Sequence, residues 1–369
     1  MNRLEQLREA GVSIWLDTLS RELLETDGLA RLIAECAVTG ATSNPTIFAR
    51  AITGSDRYDE QLRSQIDSGV RDPRELFFTL ALDDVGQAAD LLRPAYEASD
   101  GRDGFVSLEC TPDIADDTAA TVDQARRLWE RLARPNVMIK VPATDAGVPA
   151  IEELTAGGVN VNVTLLFSLT RYEQVIDAYV AGLERRLAAG QPVSALSSVA
   201  SFFVSRVDSN ADAVLPAGSE LRGRVAIANA RCAYARYRDR FSDPRWVALR
   251  DAGARPQRPL WASTGTKNAA YSDVLYVEEL VAPDVVNTMP EETLRAFAGH
   301  GDASRDFSAT AGAAAETLRR AAEAGLDLPA ITSGLERQGV RAFCDSYHEL
   351  LERIESKLRP GALAGSISS

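Results

Sequence analysis

Val137-Met138-Ile139-Lys140-Val141-Pro142 is apolar at every position but one, and that one is a lysine. A strand without polar–apolar alternation belongs to a parallel sheet covered on both faces. Working outward, Val12–Asp17, Val38–Ser43 and Phe105–Glu109 precede it as runs of the same kind. Val159–Thr164, Ser198–Phe203, Leu260–Thr264 and Val285–Met289 follow it. Segments of helical period lie between them. After Glu109, the series Val122, Ala125, Trp129 and Leu132 recurs at spacings of three and four. Thr170 with Glu173 reads as a capping box ahead of Val175, Ile176, Tyr179 and Leu183. Thr288 with Glu291 reads as a second box, with Pro290 in the first turn. Ser43-Asn44-Pro45 reads as a strand end, a helix cap and a first helical position. Eight strands alternating with helices predict parallel pairing through right-handed crossovers. The expected fold is therefore α/β, a closed (β/α)8 TIM barrel. A doubly wound open sheet is the alternative if two or more of the runs are not strands.

Two connections are too long to be plain loops. Residues 45–102 and 207–259 carry helical patterns, Val225 through Tyr237 in the second, and are expected as helical insertions without a core of their own. Near the end, Val340, Phe343, Tyr347, Leu350, Leu351 and Ile354 share one face of an amphipathic helix expected to pack across the barrel. The tail, about residues 360–369, is expected to fray. At roughly 100–200 residues per domain the length allows two or three domains, yet barrels run longer as one unit. The reading is a single barrel domain over residues 1–369.

Charge and composition narrow the function. Forty basic residues against 53 acidic ones leave a net −13, which argues against coating nucleic acid, since that needs a basic face to displace counterions. Lysine occurs only at Lys140, Lys267 and Lys357; arginine supplies every other basic side chain. Two histidines, His300 and His348, are too few for a multi-histidine metal site or a histidine-based triad. Cys36, Cys110, Cys232 and Cys344 form no CxxC pair and read as reduced thiols. The first residues are charged rather than a signal core, and no run of 18 apolar residues occurs, so no membrane partner and a cytoplasmic location are expected.

In such a barrel the chemistry gathers at the carboxyl ends of the strands. The residues expected there are Asp17, Asn44, Glu109, Lys140, Asn162, Thr164, Ser201, Ser263 and Asn287. Lys140 is the sharpest of them. An ammonium in an apolar strand is desolvated unless it is paired, and a neutral amine is the nucleophile that forms an imine with a ketone. Arginine does neither, so a chain sparing with lysine has a reason to keep one here. A plain ion pair with Glu109 or Asp17 is the structural alternative. Those two carboxylates could divide acid and base roles if their surroundings separate them. Asn160, Asn162 and Thr164 alternate with apolar residues and share one face, fit for sugar hydroxyls, a water or a hydrogen-bonded core layer. Arg206, with Lys267 in Gly265-Thr266-Lys267-Asn268, lies after late strands, where barrels bind phosphate.

Several of these runs resemble the transaldolase family. They are Ser13-Ile14-Trp15-Leu16-Asp17, Gly40-Ala41-Thr42-Ser43-Asn44-Pro45-Thr46-Ile47-Phe48, Ile139-Lys140-Val141-Pro142-Ala143-Thr144, Asn162-Val163-Thr164-Leu165-Leu166-Phe167-Ser168 and Ala200-Ser201-Phe202-Phe203-Val204-Ser205-Arg206. The resemblance runs in order from about Ser13 to Met289 and is to the longer bacterial branch. It implies a (β/α)8 barrel and cofactor-free chemistry of the pentose phosphate pathway. A dihydroxyacetone unit passes from sedoheptulose 7-phosphate or fructose 6-phosphate to glyceraldehyde 3-phosphate or erythrose 4-phosphate. By motif, Lys140 matches the imine-forming lysine and Asp17 the acid/base at the C4 hydroxyl. Glu109 and Thr164 match the pair that handles the water of imine formation and hydrolysis. Asn44, Asn162 and Ser201 match the residues holding the dihydroxyacetone hydroxyls, with Phe203 shaping the pocket. Arg206 and Ser263 match the phosphate site, where Lys267 stands in for a second arginine as a point charge without the bidentate fork. The partners implied are sugar phosphates, with no metal and a monomer or homodimer as the assembly.

Two other readings compete. A class I aldolase of the same barrel would release free dihydroxyacetone without an acceptor. A non-catalytic sugar-phosphate binding barrel would lack Lys140, Asp17 or Glu109, and all three are present.

Overall fold

A computed structural model describes residues 2–358. All eight runs are strands: β1 Val12–Leu16, β2 Val38–Thr42, β3 Phe105–Glu109, β4 Val137–Pro142, β5 Val161–Leu166, β6 Ser198–Phe203, β7 Arg258–Ala262 and β8 Val285–Met289. Each pairs in parallel with the next, and β8 closes on β1 from Val285↔Val12 to Met289↔Leu16, so the sheet is a closed barrel rather than an open one. Two strands are displaced from their predicted bounds. β5 begins and ends two residues later than Val159–Thr164, and β7 begins at Arg258 and ends at Ala262. In β5 the register shifts between Val163 and Leu166, where Leu165 takes a left-handed φ of 54°. Such a bulge adds a residue and re-aims its neighbours.

Hydrogen bonds that skip a strand identify the inward-facing side chains. Arg258 Nη1 reaches from β7 past β8 to Ser13 Oγ (2.9 Å). Asn162 Nδ2 reaches from β5 past β4 to Ser107 Oγ (2.9 Å), and Thr42 meets Thr288 past β1 (2.8 Å). Alternation along a strand then places Ser13 and Trp15 of β1 on the inner face, in phase with Asp17 just beyond it. Trp15 fills the interior beside Gly40, where a Cβ would lie 2.5 Å from the indole ring, and its Nε1 donates to Asp103 Oδ1 (2.8 Å).

The helices cover the outside. Thr118–Leu132 buries Thr121, Ala125, Leu128 and Leu132, a stripe shifted slightly from the predicted one, with Val122 and Trp129 half-buried beside it. Leu169–Ala188 buries Val175, Ile176, Tyr179 and Leu183 as expected, but its cap is Ser168, whose side chain accepts from the Arg171 N–H; Thr170 lies inside the helix. The second expected box is also absent. Thr288 lies in β8 facing Thr42, and the helix Glu291–His300 starts after Pro290 without a side-chain cap. Asn44 is the cap that holds: its Oδ1 accepts from Ile47 N–H (2.9 Å) and Pro45 opens the helix.

Between β2 and β3 run the helices Pro45–Thr53, Asp59–Asp67 and Pro73–Ala98. Between β6 and β7 run Ser205–Val214, Val225–Arg240 and Pro244–Asp251. The terminal helix, Leu328–Lys357, buries Phe343, Tyr347, Leu350 and Ile354 and touches β5 and the helices that follow β2 and β6. Its Gly339 gives room to Leu165, because a Cβ there would lie 2.8 Å from that side chain. Near its end Lys357 pairs with Asp59, which gives one of the three lysines a structural role. The expected tail, residues 360–369, falls outside the described residues.

Candidate active site

Parallel register lines up the reactive groups. β3 and β4 pair Glu109 with Lys140, and β4 and β5 pair Lys140 with Asn162, so three polar residues stand abreast on adjacent strands. Lys140 is 5% exposed and Glu109 4%. The lysine Nζ lies 3.1 Å from Glu109 Oε2 and 2.9 Å from the Ser43 carbonyl oxygen. Lys140 thus stands as one half of a buried ion pair, where sequence reasoning leaned toward an unpaired, neutral amine. Burial of a carboxylate beside it supplies a proton acceptor within contact distance. Neither oxygen of Glu109 has a further hydrogen-bond partner among the described residues, and neither does buried Thr164 Oγ1. Glu109 Oε1 and Thr164 Oγ1 are left to meet a water or a substrate.

Asp17 ends β1 on the same side, its Oδ1 accepting from Thr42 Oγ1 (2.9 Å). Burial pushes the Asp17 carboxyl above the usual range. Lys140 opposes this most strongly, followed by the Thr42 hydrogen bond and the charges of Arg206 and Lys267. Glu109 is raised for the same reason, with Lys140 opposing and Asp17 adding to the rise. The two carboxylates are therefore shifted in one direction rather than driven apart, and what distinguishes them is the partner: Lys140 for Glu109, Thr42 for Asp17. A hollow of about 320 Å³ lined by Asp17, Thr18, Ser20, Ile47 and Arg50 opens beside Asp17.

Asn162 and Ser201 hold each other. Ser201 Oγ donates to Asn162 Oδ1 (2.6 Å) while Asn162 Nδ2 donates to Ser107 Oγ (2.9 Å). Asn160, expected on the same face, does structural work: its amide donates to the carbonyls of Pro135 and Val137 and its oxygen accepts from Ser197 N–H. Asn44 spends its oxygen on the helix cap and leaves its amide nitrogen without a partner among the described residues. Phe203 packs on Phe167 at 5.1 Å between centroids, and the Arg206 guanidinium lies over its ring at 5.2 Å. That guanidinium has no ion-pair partner among the described residues, and burial pulls it below the usual arginine range. Ser263, at a left-handed φ of 56°, meets Ser205 Oγ at 2.9 Å. Lys267 is exposed on the loop after β7, likewise without an ion-pair partner among the described residues.

The family model described as transaldolase/fructose-6-phosphate aldolase matches residues 14–354. The chain belongs to this family. A transaldolase of Parafrankia sp. is 50% identical over 365 residues, covering 97% of this chain and 99% of its own length. One from Thermobifida fusca is 51% identical over 361 residues (96% and 98%), and one from Saccharopolyspora erythraea 49% over 367 (97% and 98%). No helix among the described residues is long and apolar enough to cross a membrane.

Family membership does not by itself reveal the supports of the site, and sequence reasoning passed over them. Thr42 holds Asp17 and is itself held by Thr288; Ser107 holds Asn162; the Ser43 carbonyl holds Lys140. The available signal was phase. Thr42 is two residues from Gly40, and Ser107 two from Glu109, so each shares the inner face. Asn287, expected at a strand end, follows the opposite phase to Thr288 and accepts from Thr264 Oγ1 (2.8 Å), away from the mouth.

Proposed function

We propose the following division of labour for a transaldolase, the activity that the family and identity of about half over nearly the whole chain give this protein. A dihydroxyacetone unit passes from a ketose phosphate to an aldose phosphate, as the pentose phosphate pathway requires. Lys140 passes a proton to Glu109 and its free amine attacks the C2 carbonyl of the ketose phosphate. Glu109, with Thr164, then holds the water released as the carbinolamine becomes the imine. Asp17 takes the proton of the C4 hydroxyl, the C3–C4 bond breaks, and its electrons flow into the protonated imine to leave an enamine on Lys140. The first aldose phosphate departs. The enamine attacks the aldehyde of the incoming aldose phosphate, Asp17 returns its proton to the new alkoxide, and water from the Glu109–Thr164 side frees the product. Asn44, Asn162 and Ser201 hold the dihydroxyacetone hydroxyls over Phe203, and Arg206, Ser263 and Lys267 take the phosphate.

The observation that carries this assignment is the 3.1 Å contact between Lys140 Nζ and Glu109 Oε2 in a mouth shared with Asp17. Borohydride reduction in the presence of fructose 6-phosphate, followed by peptide mass spectrometry, should place one covalent adduct on Lys140. An adduct on Lys267 or Lys357, or none, would overturn it. Turnover of fructose 6-phosphate with and without erythrose 4-phosphate separates the two activities in the family description. A transferase depends on the acceptor, whereas an aldolase releases free dihydroxyacetone without one.

A further inference from the structure

Arg206 and Lys267 come from different loops, and a phosphate grip made of two cations needs them at a set spacing. Arg206 is the second residue of the helix Ser205–Val214, which starts directly behind β6. Four residues apart on that helix, Asp208 and Asp212 are 1% and 8% exposed. Each divides its oxygens in the same way. One oxygen takes a backbone N–H at or just before the start of the next helix, Val225–Arg240: Asp208 Oδ1 from Ala226 (2.7 Å), Asp212 Oδ1 from Gly223 (3.0 Å). The other takes a tyrosine hydroxyl from the segment that follows Lys267: Asp212 Oδ2 from Tyr271 (2.6 Å), Asp208 Oδ2 from Tyr276 (3.1 Å).

Among the described residues no basic side chain forms an ion pair with either carboxylate, which is unusual for buried aspartates. Burial without a cation pushes Asp208 up to about 7. A polar hollow of about 370 Å³ is lined by Asp208, Asp212, Arg222, Lys267, Tyr271 and Tyr276, so the anchors and the lysine border one space. The loop has its own turn bonds, from Tyr271 N–H to the Asn268 carbonyl and from Thr266 Oγ1 to the Ser272 carbonyl. Those bonds shape the loop, and Ser263 meets Ser205 where the loop leaves β7; beyond Lys267 it is the two tyrosine hydroxyls that tie it to the helix bearing Arg206.

We propose that the Asp212–Tyr271 and Asp208–Tyr276 pairs are positioning residues for phosphate recognition, fastening the Lys267 loop to the Arg206 helix and so setting the preference for phosphorylated substrates. The proposal rests on the reading of Arg206 and Lys267 as the phosphate site. Preorganised cations bind an anion without the ordering cost that a loose loop imposes. Loosening the loop therefore weakens the grip on phosphate and leaves the imine chemistry at Lys140 untouched.

The test is kcat/KM for erythrose 4-phosphate and for D-erythrose as acceptors, with fructose 6-phosphate as donor, in wild type, Lys267→Ala, Tyr271→Phe, Tyr276→Phe and Asp212→Asn. The Tyr271→Phe exchange should lower the ratio of the two constants by about ten-fold, the loss of one hydrogen bond to a charged group. The value for D-erythrose should stay within about two-fold on the same argument. Asp212→Asn, which can still accept from Gly223 and pair with the tyrosine oxygen, should recover most of the ratio. If both tyrosine variants lower the two constants equally, or leave both unchanged, while Lys267→Ala lowers the ratio, the positioning role is overturned and the phosphate site stands. If Lys267→Ala leaves the ratio unchanged, the phosphate reading itself fails and takes the proposal with it.

Discussion

Replacing Lys140 with methionine removes the charge at nearly constant volume and tests what the ion pair does for the fold as well as for the reaction. In the wild type, Lys140 is the only ion-pair partner of Glu109 among the described residues, and its remaining charged neighbours are Asp17, which repels it, and Arg206, which attracts it. In the variant an ionised Glu109 would be buried and unpaired, an outcome that typically costs about 3–5 kcal/mol. The cost depends on pH in a definite direction. The Glu109 carboxyl is already raised by burial, and loss of Lys140, its strongest opposing influence, raises it further. The folded variant then keeps a proton that the unfolded chain gives up above about pH 4.3. A state that binds the proton more tightly loses stability as pH rises through that window. At pH 5 the variant should lose only about 1–2 kcal/mol, the orphaned Ser43 carbonyl being the main loss. At pH 8 the full 3–5 kcal/mol should appear. Urea denaturation of wild type, Lys140→Met and Lys140→Met/Glu109→Gln at the two pH values measures both gaps. The double variant should recover most of the loss at pH 8, because a neutral amide replaces the stranded charge. Equal losses at pH 5 and pH 8, or a double variant no better than the single one at pH 8, would refute the reasoning.

Three further outcomes are expected. Asp208→Asn should flatten a slope in stability: a carboxyl raised from 3.8 to about 7 costs the fold progressively as pH climbs between those values, by at most about 4 kcal/mol. Chemical denaturation across pH 4–8 should show the wild type falling relative to the variant, and a constant difference would count against it. Asn44→Ala should cost about 1 kcal/mol through loss of the cap on Ile47 N–H and also raise KM for fructose 6-phosphate. Asn44→Asp keeps the cap, so thermal unfolding should recover while KM stays high; recovery of both would remove the amide nitrogen from substrate binding. Gly40→Ala pushes a methyl to 2.5 Å from the Trp15 ring inside the barrel and should cost about 3 kcal/mol, read as a lowered midpoint in thermal unfolding.

The barrel was legible because its signal is redundant. Eight β-branched runs, each followed by a helical stripe, survive a two-residue error in any one of them, as β5 and β7 illustrate. Caps lack that redundancy. Thr170 and Glu173 satisfy the capping pattern, but the same spacing of three also occurs inside any helix, and the true cap, Ser168, lies two residues earlier, where the chain leaves the strand. Thr288 failed as a cap for a related reason, since β8 extends to Met289 and carries the threonine inward to Thr42. The strand-end residues Asp17, Glu109 and Lys140 were readable as polar interruptions of apolar runs. Which of the two carboxylates pairs with Lys140 was not, because Glu109 stands opposite Lys140 only by virtue of the β3–β4 register. Register in a closed barrel is set by tilt and stagger of all the strands together, which no single stretch encodes.

The pairing changes how the lysine becomes a nucleophile. Sequence reasoning set two alternatives against each other, a desolvated neutral amine or a structural ion pair, as if one precluded the other. With Nζ and Oε2 in contact between two buried side chains, a single proton transfer interconverts them. The ionic form carries two desolvated charges and their mutual attraction; the neutral form carries neither. Burial that raises the Glu109 carboxyl narrows the gap between the two forms, because it favours the protonated acid. The burial that raises the Glu109 carboxyl thus makes it a better proton acceptor for the adjacent amine, and the proton stays on the residue proposed to manage the water of imine formation. Asp17, which lacks the lysine contact and is held by Thr42, remains free for the proton at C4. Two carboxylates shifted in the same direction can therefore take different roles, distinguished by which neighbour each one touches.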